Sequence, residues 1–173
     1  MDALARPAAC RLPRCRRQLA GDARRTRILP ASGHFGALAI PRRGATAVIL
    51  GLGVDIVEID RMRHMLETTG ERLIKRIFTD GEAQYALAHV EPALHFAARA
   101  AAKEATYKAL SGNQLARAVG WREIEVCLRE DGAPYLRLHG RAEQRASEMG
   151  VARVLISLTH SKAAAVAVVV LEA

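Results

Sequence analysis

Apolar residues alternate with other types from residue 47 onward, and this period of two predicts a strand over residues 47–59. Val48, Leu50, Leu52, Val54 and Ile56 share one parity; Ile49, Gly51, Gly53, Asp55, Val57 and Ile59 share the other. From Asp60, read as an N-cap, the period lengthens to that of a helix. Met62, Met65 and Leu66 form its apolar stripe against polar Arg61, Arg63 and Glu67, and Leu73, Ile74, Ile77 and Phe78 continue the spacing beyond Gly70. Thr79-x-x-Glu82 matches a capping box and opens a short helix through Tyr85 and Leu87, which Pro92 ends. A helix rich in alanine then runs from about Ala93 to Leu110 and stops at Ser111-Gly112-Asn113.

The period returns to two at Trp121. Ile124, Val126 and Leu128 alternate with Glu123, Glu125, Cys127 and Arg129; Glu130-Asp131-Gly132 makes a hairpin turn, and residues 135–138 form the return strand. Gly140 and Gly150 bracket a helix with Ala142, Ala146 and Met149 inside. Strands over 153–159 and 163–171, joined by His160-Ser161-Lys162, close the chain. The order predicts an α+β domain, a largely antiparallel sheet wrapped by helices, over residues 47–173. Residues 1–46 carry four of the six prolines and no sustained apolar period, so they are read as a disordered, Arg-rich extension. Their acid-poor composition suits a transit peptide, but a Cys-x4-Cys stretch and scattered prolines make a poor amphipathic helix. A segment upstream of the true start accounts for them equally well.

Charge sharpens this division. The first 47 residues hold ten arginines against Asp2 and Asp22, a surplus equal to the whole formal charge of +8, so the remainder balances 16 basic with 16 acidic residues. A neutral domain, and only seven aromatics in the whole chain with no basic stripe among them, argue against nucleic-acid binding. Residues 163–171 form an apolar run about half the length of a membrane span. Cys10, Cys15 and Cys127 show neither a disulfide framework nor metal-ligand spacing, which favours a reducing, cytoplasmic setting.

Two acids stand out because their surroundings are apolar. Asp55 lies in an apolar strand behind two glycines, and Glu104 lies in an alanine helix with Lys108 one turn further on the same face. Gly51-x-Gly53 is no dinucleotide fingerprint, since the third glycine position is Ile56 and no helix opens on the second glycine.

Three segments together resemble one family. Gly51-Leu-Gly-Val-Asp-Ile-Val-Glu-Ile59, Arg99-x3-Lys-Glu-Ala-x2-Lys-Ala-Leu110 and Ser157-Leu-Thr-His-Ser-Lys162 stand in the order found in holo-acyl carrier protein synthases of the phosphopantetheinyl transferase superfamily. Phe78-Thr79-x2-Glu82, Trp121-Arg-Glu-Ile-Glu-Val126 and Asp131-Gly-Ala-Pro-Tyr135 add weaker likeness, while residues 1–46 lie outside it. The resemblance implies transfer of 4′-phosphopantetheine from coenzyme A to a serine of apo acyl carrier protein, in support of fatty acid biosynthesis. It implies Mg²⁺ held by Asp55 and Glu104, with Arg99, Lys103, Lys108 and His160 around the coenzyme. A metal-activated water, Glu104 or Lys108 would take the serine proton. It further implies a homotrimer with sites between subunits, and carrier contact through Arg61 and Arg63. Ala100, Ser111-Gly-Asn113 and Ala164 depart from the usual pattern, all at packing or loop positions. The competing readings are a basic-tailed binding module without catalysis and a Mg²⁺-dependent phosphotransferase with another substrate.

Overall fold

The computed structural model describes residues 48–173; the extension assigned to 1–46 lies outside the described residues. The element order is β1 (Ile49–Glu58), α1 (Ile59–Ile77), α2 (Asp80–Leu87), α3 (Pro92–Ala109), α4 (Gln114–Arg117), β2 (Ile124–Leu128), β3 (Pro134–Leu138), α5 (Gly140–Glu148), β4 (Arg153–His160) and β5 (Ala164–Glu172). The α+β reading holds, but the strands form two antiparallel sheets rather than one. One has the order β1-β5-β4, and the other is the β2-β3 hairpin. The most apolar strand, β5, is central, where both of its edges are paired.

Helix α3 is the hub. Small alanine side chains let it lie close to both sheets, so Ala97, Ala101, Ala102 and Ala105 are all fully buried. Such a helix, apolar nearly all round, belongs inside a protein. It covers the face of the three-stranded sheet formed by Ala165, Ala167, Val169 and Leu171. A second core joins its first turns to α1 and α2 through Met62, Phe78 and Phe96, with the two phenylalanine rings 4.7 Å apart.

Two boundaries differ from the sequence reading in a way that the tertiary structure explains. Helix α1 has Glu58 at its N-cap position with no side-chain cap, and Asp60 sits in the first turn. The start is set by the sheet, because Ile59 N still donates to Ala163 O at 2.8 Å; Asp60 there opposes the positive end of the helix dipole. The helix runs unbroken through Gly70, as the continued helical spacing predicts. Trp121–Glu123 form a 3-10 turn, so the strand pattern begins only at Ile124. By contrast the Thr79–Glu82 capping box forms in full: Glu82 N donates to Thr79 Oγ1 and Thr79 N donates to Glu82 Oε2.

Candidate active site

The site begins with the contact between β1 and α3. A Cβ on Gly53 would stand 1.8 Å from Ala105 O, and one on Gly51 would stand 2.3 Å from Ala109 O. Only glycine permits this approach of strand to helix. Asp55 shares their parity, so its carboxylate turns toward α3 and is only 16% exposed. Lys108 crosses from α3 to meet it, donating from Nζ to Asp55 Oδ1 at 2.8 Å and to Val54 O at 3.0 Å. Glu104 lies one turn before Lys108, half-buried. The hydrogen bond to Asp55, joined by the charges of Asp55 and Glu104, raises the Lys108 ammonium above the ordinary lysine value. Asp55, Glu104 and Lys108 are thus brought together. Beside Glu104 opens a cavity of about 260 Å³ walled by Tyr107, Arg117, Val119, Trp121 and Ile124.

Arg99 is 5% exposed. Its guanidinium lies 4.2 Å over the Tyr85 ring and Nη1 donates to His95 O at 3.2 Å, while Nε has no acceptor among the described residues. Burial lowers its affinity for the proton, opposed by the charge of Glu82 and by Tyr85. His160 is exposed at the end of β4, near enough for its charge to act on His95.

A model of the 4′-phosphopantetheinyl transferase superfamily matches residues 51–169. A holo-[acyl-carrier-protein] synthase of Solibacter usitatus is 41% identical over 125 residues, spanning 72% of this chain and 99% of that protein. The chain belongs to this superfamily. Among solved structures, the holo-[acyl-carrier-protein] synthase of Neisseria meningitidis matches with a TM-score of 0.65 at 27% identity, over 73% of this chain and 100% of that one. The Bacillus anthracis holo-(acyl-carrier-protein) synthase in complex with CoA (3′,5′-ADP) matches with a TM-score of 0.58 at 33% identity, over 73% and 98% of the two chains.

In this superfamily member the expected phosphate contact Lys103 is corrected by its surroundings. Its side chain has no exposure; it pairs with Glu82 at 2.9 Å, donates to Trp121 O at 2.9 Å and also donates to Ile124 O. An ammonium has three donors, and all three are used. Burial lowers the Lys103 ammonium, with Glu82 opposing. Lys103 therefore pins the 3-10 turn and β2 beneath the cavity. Glu82, read from sequence only as a capping residue, also accepts from Val126 N at 2.9 Å with its other oxygen.

Arg61 is exposed and has no ion-pair partner among the described residues. Arg63 is engaged, with Asp60 and with Glu91 at 2.6 Å. Sequence reading missed Tyr85, His89 and His95, which gather against Arg99. His95 precedes Arg99 by one turn of α3, a spacing that offered a signal; Tyr85 and His89 reach it from the neighbouring helix and its following turn.

Among the described residues no three His, Cys, Asp or Glu side chains are grouped to hold a metal. Two carboxylates alone suit a hard cation that completes its oxygen shell with phosphate and water, as Mg²⁺ does, and not a closed zinc site. Nor is any described helix long and apolar enough to cross a membrane.

Proposed function

We propose that this chain transfers the 4′-phosphopantetheine group of coenzyme A to a serine of an apo acyl carrier protein, releasing adenosine 3′,5′-bisphosphate, in the cytoplasm. The observation that carries the reading is the meeting of Asp55, Glu104 and Lys108 across the β1–α3 contact, in a chain of this superfamily. Asp55 and Glu104 would hold Mg²⁺. When bound, that ion supplies neutralisation of pyrophosphate charge and polarises the phosphorus under attack.

Lys108 stays protonated under the influence of two carboxylates, which suits it to bind a phosphate oxygen rather than to accept the serine proton. Its bond to Asp55 is half-exposed on the lysine side, so the ammonium can turn from that carboxylate to an arriving phosphate. Arg99 and His160 would offer further positive charge to the coenzyme, and a buried guanidinium with no carboxylate in ion-pair contact among the described residues supports that role.

The second face of the three-stranded sheet supports assembly as a homotrimer. Leu52, Val54 and Ile56 of β1 are 65%, 55% and 64% exposed, and Val168 of β5 adds to them. An exposed apolar stripe of this kind marks a contact surface. Closed cyclic symmetry would cover it in every subunit. Arg61, exposed and without an ion-pair partner among the described residues, is the better placed of the two arginines to meet an acidic carrier; Arg63 already shares two carboxylates.

Incubation with coenzyme A, Mg²⁺ and apo acyl carrier protein, followed by mass spectrometry of the carrier, tests the reaction. A phosphopantetheine mass on the carrier serine is expected, and an unmodified carrier at all Mg²⁺ concentrations overturns the reading. Light scattering is expected to return three chains; an active monomer removes the shared-site assembly.

A further inference from the structure

Around Arg99 the fold collects imidazoles. The His89 and His95 ring centroids are 4.0 Å apart, and the Tyr85 ring lies 4.4 Å from His89 and 5.6 Å, edge-on, from His95. Arg99 covers the face of that same Tyr85 ring. His89 is anchored: its Nδ1 donates to Tyr85 O at 2.7 Å, since a carbonyl only accepts. The His95 ring makes no side-chain hydrogen bond among the described residues and is only half-buried, so its nitrogens are open to a ligand.

The charged and titratable groups that act on His95 come from three other places as well as its own helix. Arg99 lies on its own helix, His89 on the turn after α2, and His160 at the end of β4; Glu91, at the N-cap of α3, is the one opposing charge. Glu91 is itself shared with Arg63 at 2.6 Å. Burial first, then His89, Arg99 and His160, hold the His95 imidazole below its ordinary value. A neutral ring in a positive surround, beside a buried guanidinium whose Nε lacks an acceptor, is a setting that an anion completes. The alternative of a metal is disfavoured, because these histidines do not form a ligand group.

Resting on the proposed coenzyme A reaction, we propose that His95, backed by His89, takes up a proton when the phosphate-bearing substrate settles beside Arg99, so that substrate affinity is coupled to pH. The sign follows from linkage. An arriving anion favours the charged imidazole, so its pKa is higher in the complex than in the free protein. Affinity rises as pH falls from the higher of these values to the lower, and is level outside that window.

Calorimetric titration of the full-length protein with coenzyme A, in buffers of different ionisation heat, measures the protons taken up. The wild-type protein is expected to take up a fraction of a proton near neutrality, with Kd falling about three- to tenfold from pH 8 to pH 6. His95→Phe, which keeps an aromatic ring on the stack, and His95→Gln, which keeps a polar group, are both expected to lose most of this uptake while still binding coenzyme A. The coenzyme's phosphate monoester also gains protons near pH 6, so each variant is compared with wild type at the same pH. Uptake unchanged in both variants overturns the proposal and leaves the transferase reading intact. Uptake abolished by His160→Gln and kept by both His95 variants overturns it equally. A wild-type protein that binds no coenzyme A overturns both.

Discussion

Lys108 Nζ and Asp55 Oδ1 lie 2.8 Å apart although 53 residues separate them in sequence. The bond joins a helix to a strand whose spacing two glycines set, and it gathers an ammonium and two carboxylates at the proposed phosphate and ion site.

Asp55→Asn and Glu104→Gln each keep side-chain shape and remove charge from the proposed ion site. Transfer is expected to fall by at least about a hundredfold in each. Turnover titrated against Mg²⁺ checks this, and near wild-type turnover at limiting Mg²⁺ removes the residue from the ion's shell.

Gly53→Ala is expected to damage both stability and activity. The new Cβ would meet Ala105 O at 1.8 Å, a backbone atom that moves only if α3 withdraws from β1. Overpacking of this kind costs about 1–3 kcal/mol or more. Denaturant unfolding reads that loss, and the transfer assay reads the displaced Asp55.

The lysines of α3 are expected to part company. Lys103→Met leaves Glu82 buried without its cation, which costs about 3–5 kcal/mol, visible as a lowered unfolding midpoint. Lys108→Ala sits at the surface and is expected to leave the melting temperature nearly unchanged while weakening coenzyme A binding or transfer. A stable Lys103→Met protein with a selective coenzyme A defect would restore Lys103 to the phosphate contacts.

Glu123 is held low, against burial, by the Gly120 amide and Arg141, and acid sensitivity is expected to draw on Glu125 as well. Burial alone would raise its carboxyl, but His139 at 3.0 Å, Thr79 at 3.1 Å and the charge of Arg137 outweigh this and hold it below the ordinary glutamate value of 4.5. A carboxyl lowered in the folded state contributes stability in full above its unfolded value, and that contribution is lost as pH falls through the folded one. Melting temperatures should therefore decline below about pH 4.5, and Glu125→Gln should flatten the decline while lowering stability at neutral pH.

Arg61→Glu is expected to raise the KM for acyl carrier protein with little change for coenzyme A. The wild-type advantage should shrink as salt rises, since exposed charges steer acidic partners through a screened field. Unchanged carrier kinetics at low salt would exclude Arg61 from the contact.

Most of the elements were legible because their signals are local. The capping box at Thr79 and Glu82, the apolar run of β5 and the alanine content of α3 depend on residues within a turn or a few positions. Asp55 and Glu104 were legible as acids on apolar elements, and Gly51 and Gly53 as points of close approach, which α3 turns out to use. What the sequence left open was which cation meets which partner. Lys103 and Lys108 are five residues apart on one helix, on different faces of it, and only the family resemblance assigned both to the same coenzyme phosphates. Lys103 instead meets Glu82 and the carbonyls of Trp121 and Ile124, while Lys108 meets Asp55. The stack of Tyr85, His89 and His95 and the split into two sheets likewise needed distant segments to be brought together. Helix periodicity settles the angle at which a side chain leaves its axis; only tertiary packing decides whether that direction ends in water or in the core, and so whether a charge must find a buried partner or is left to bind a ligand.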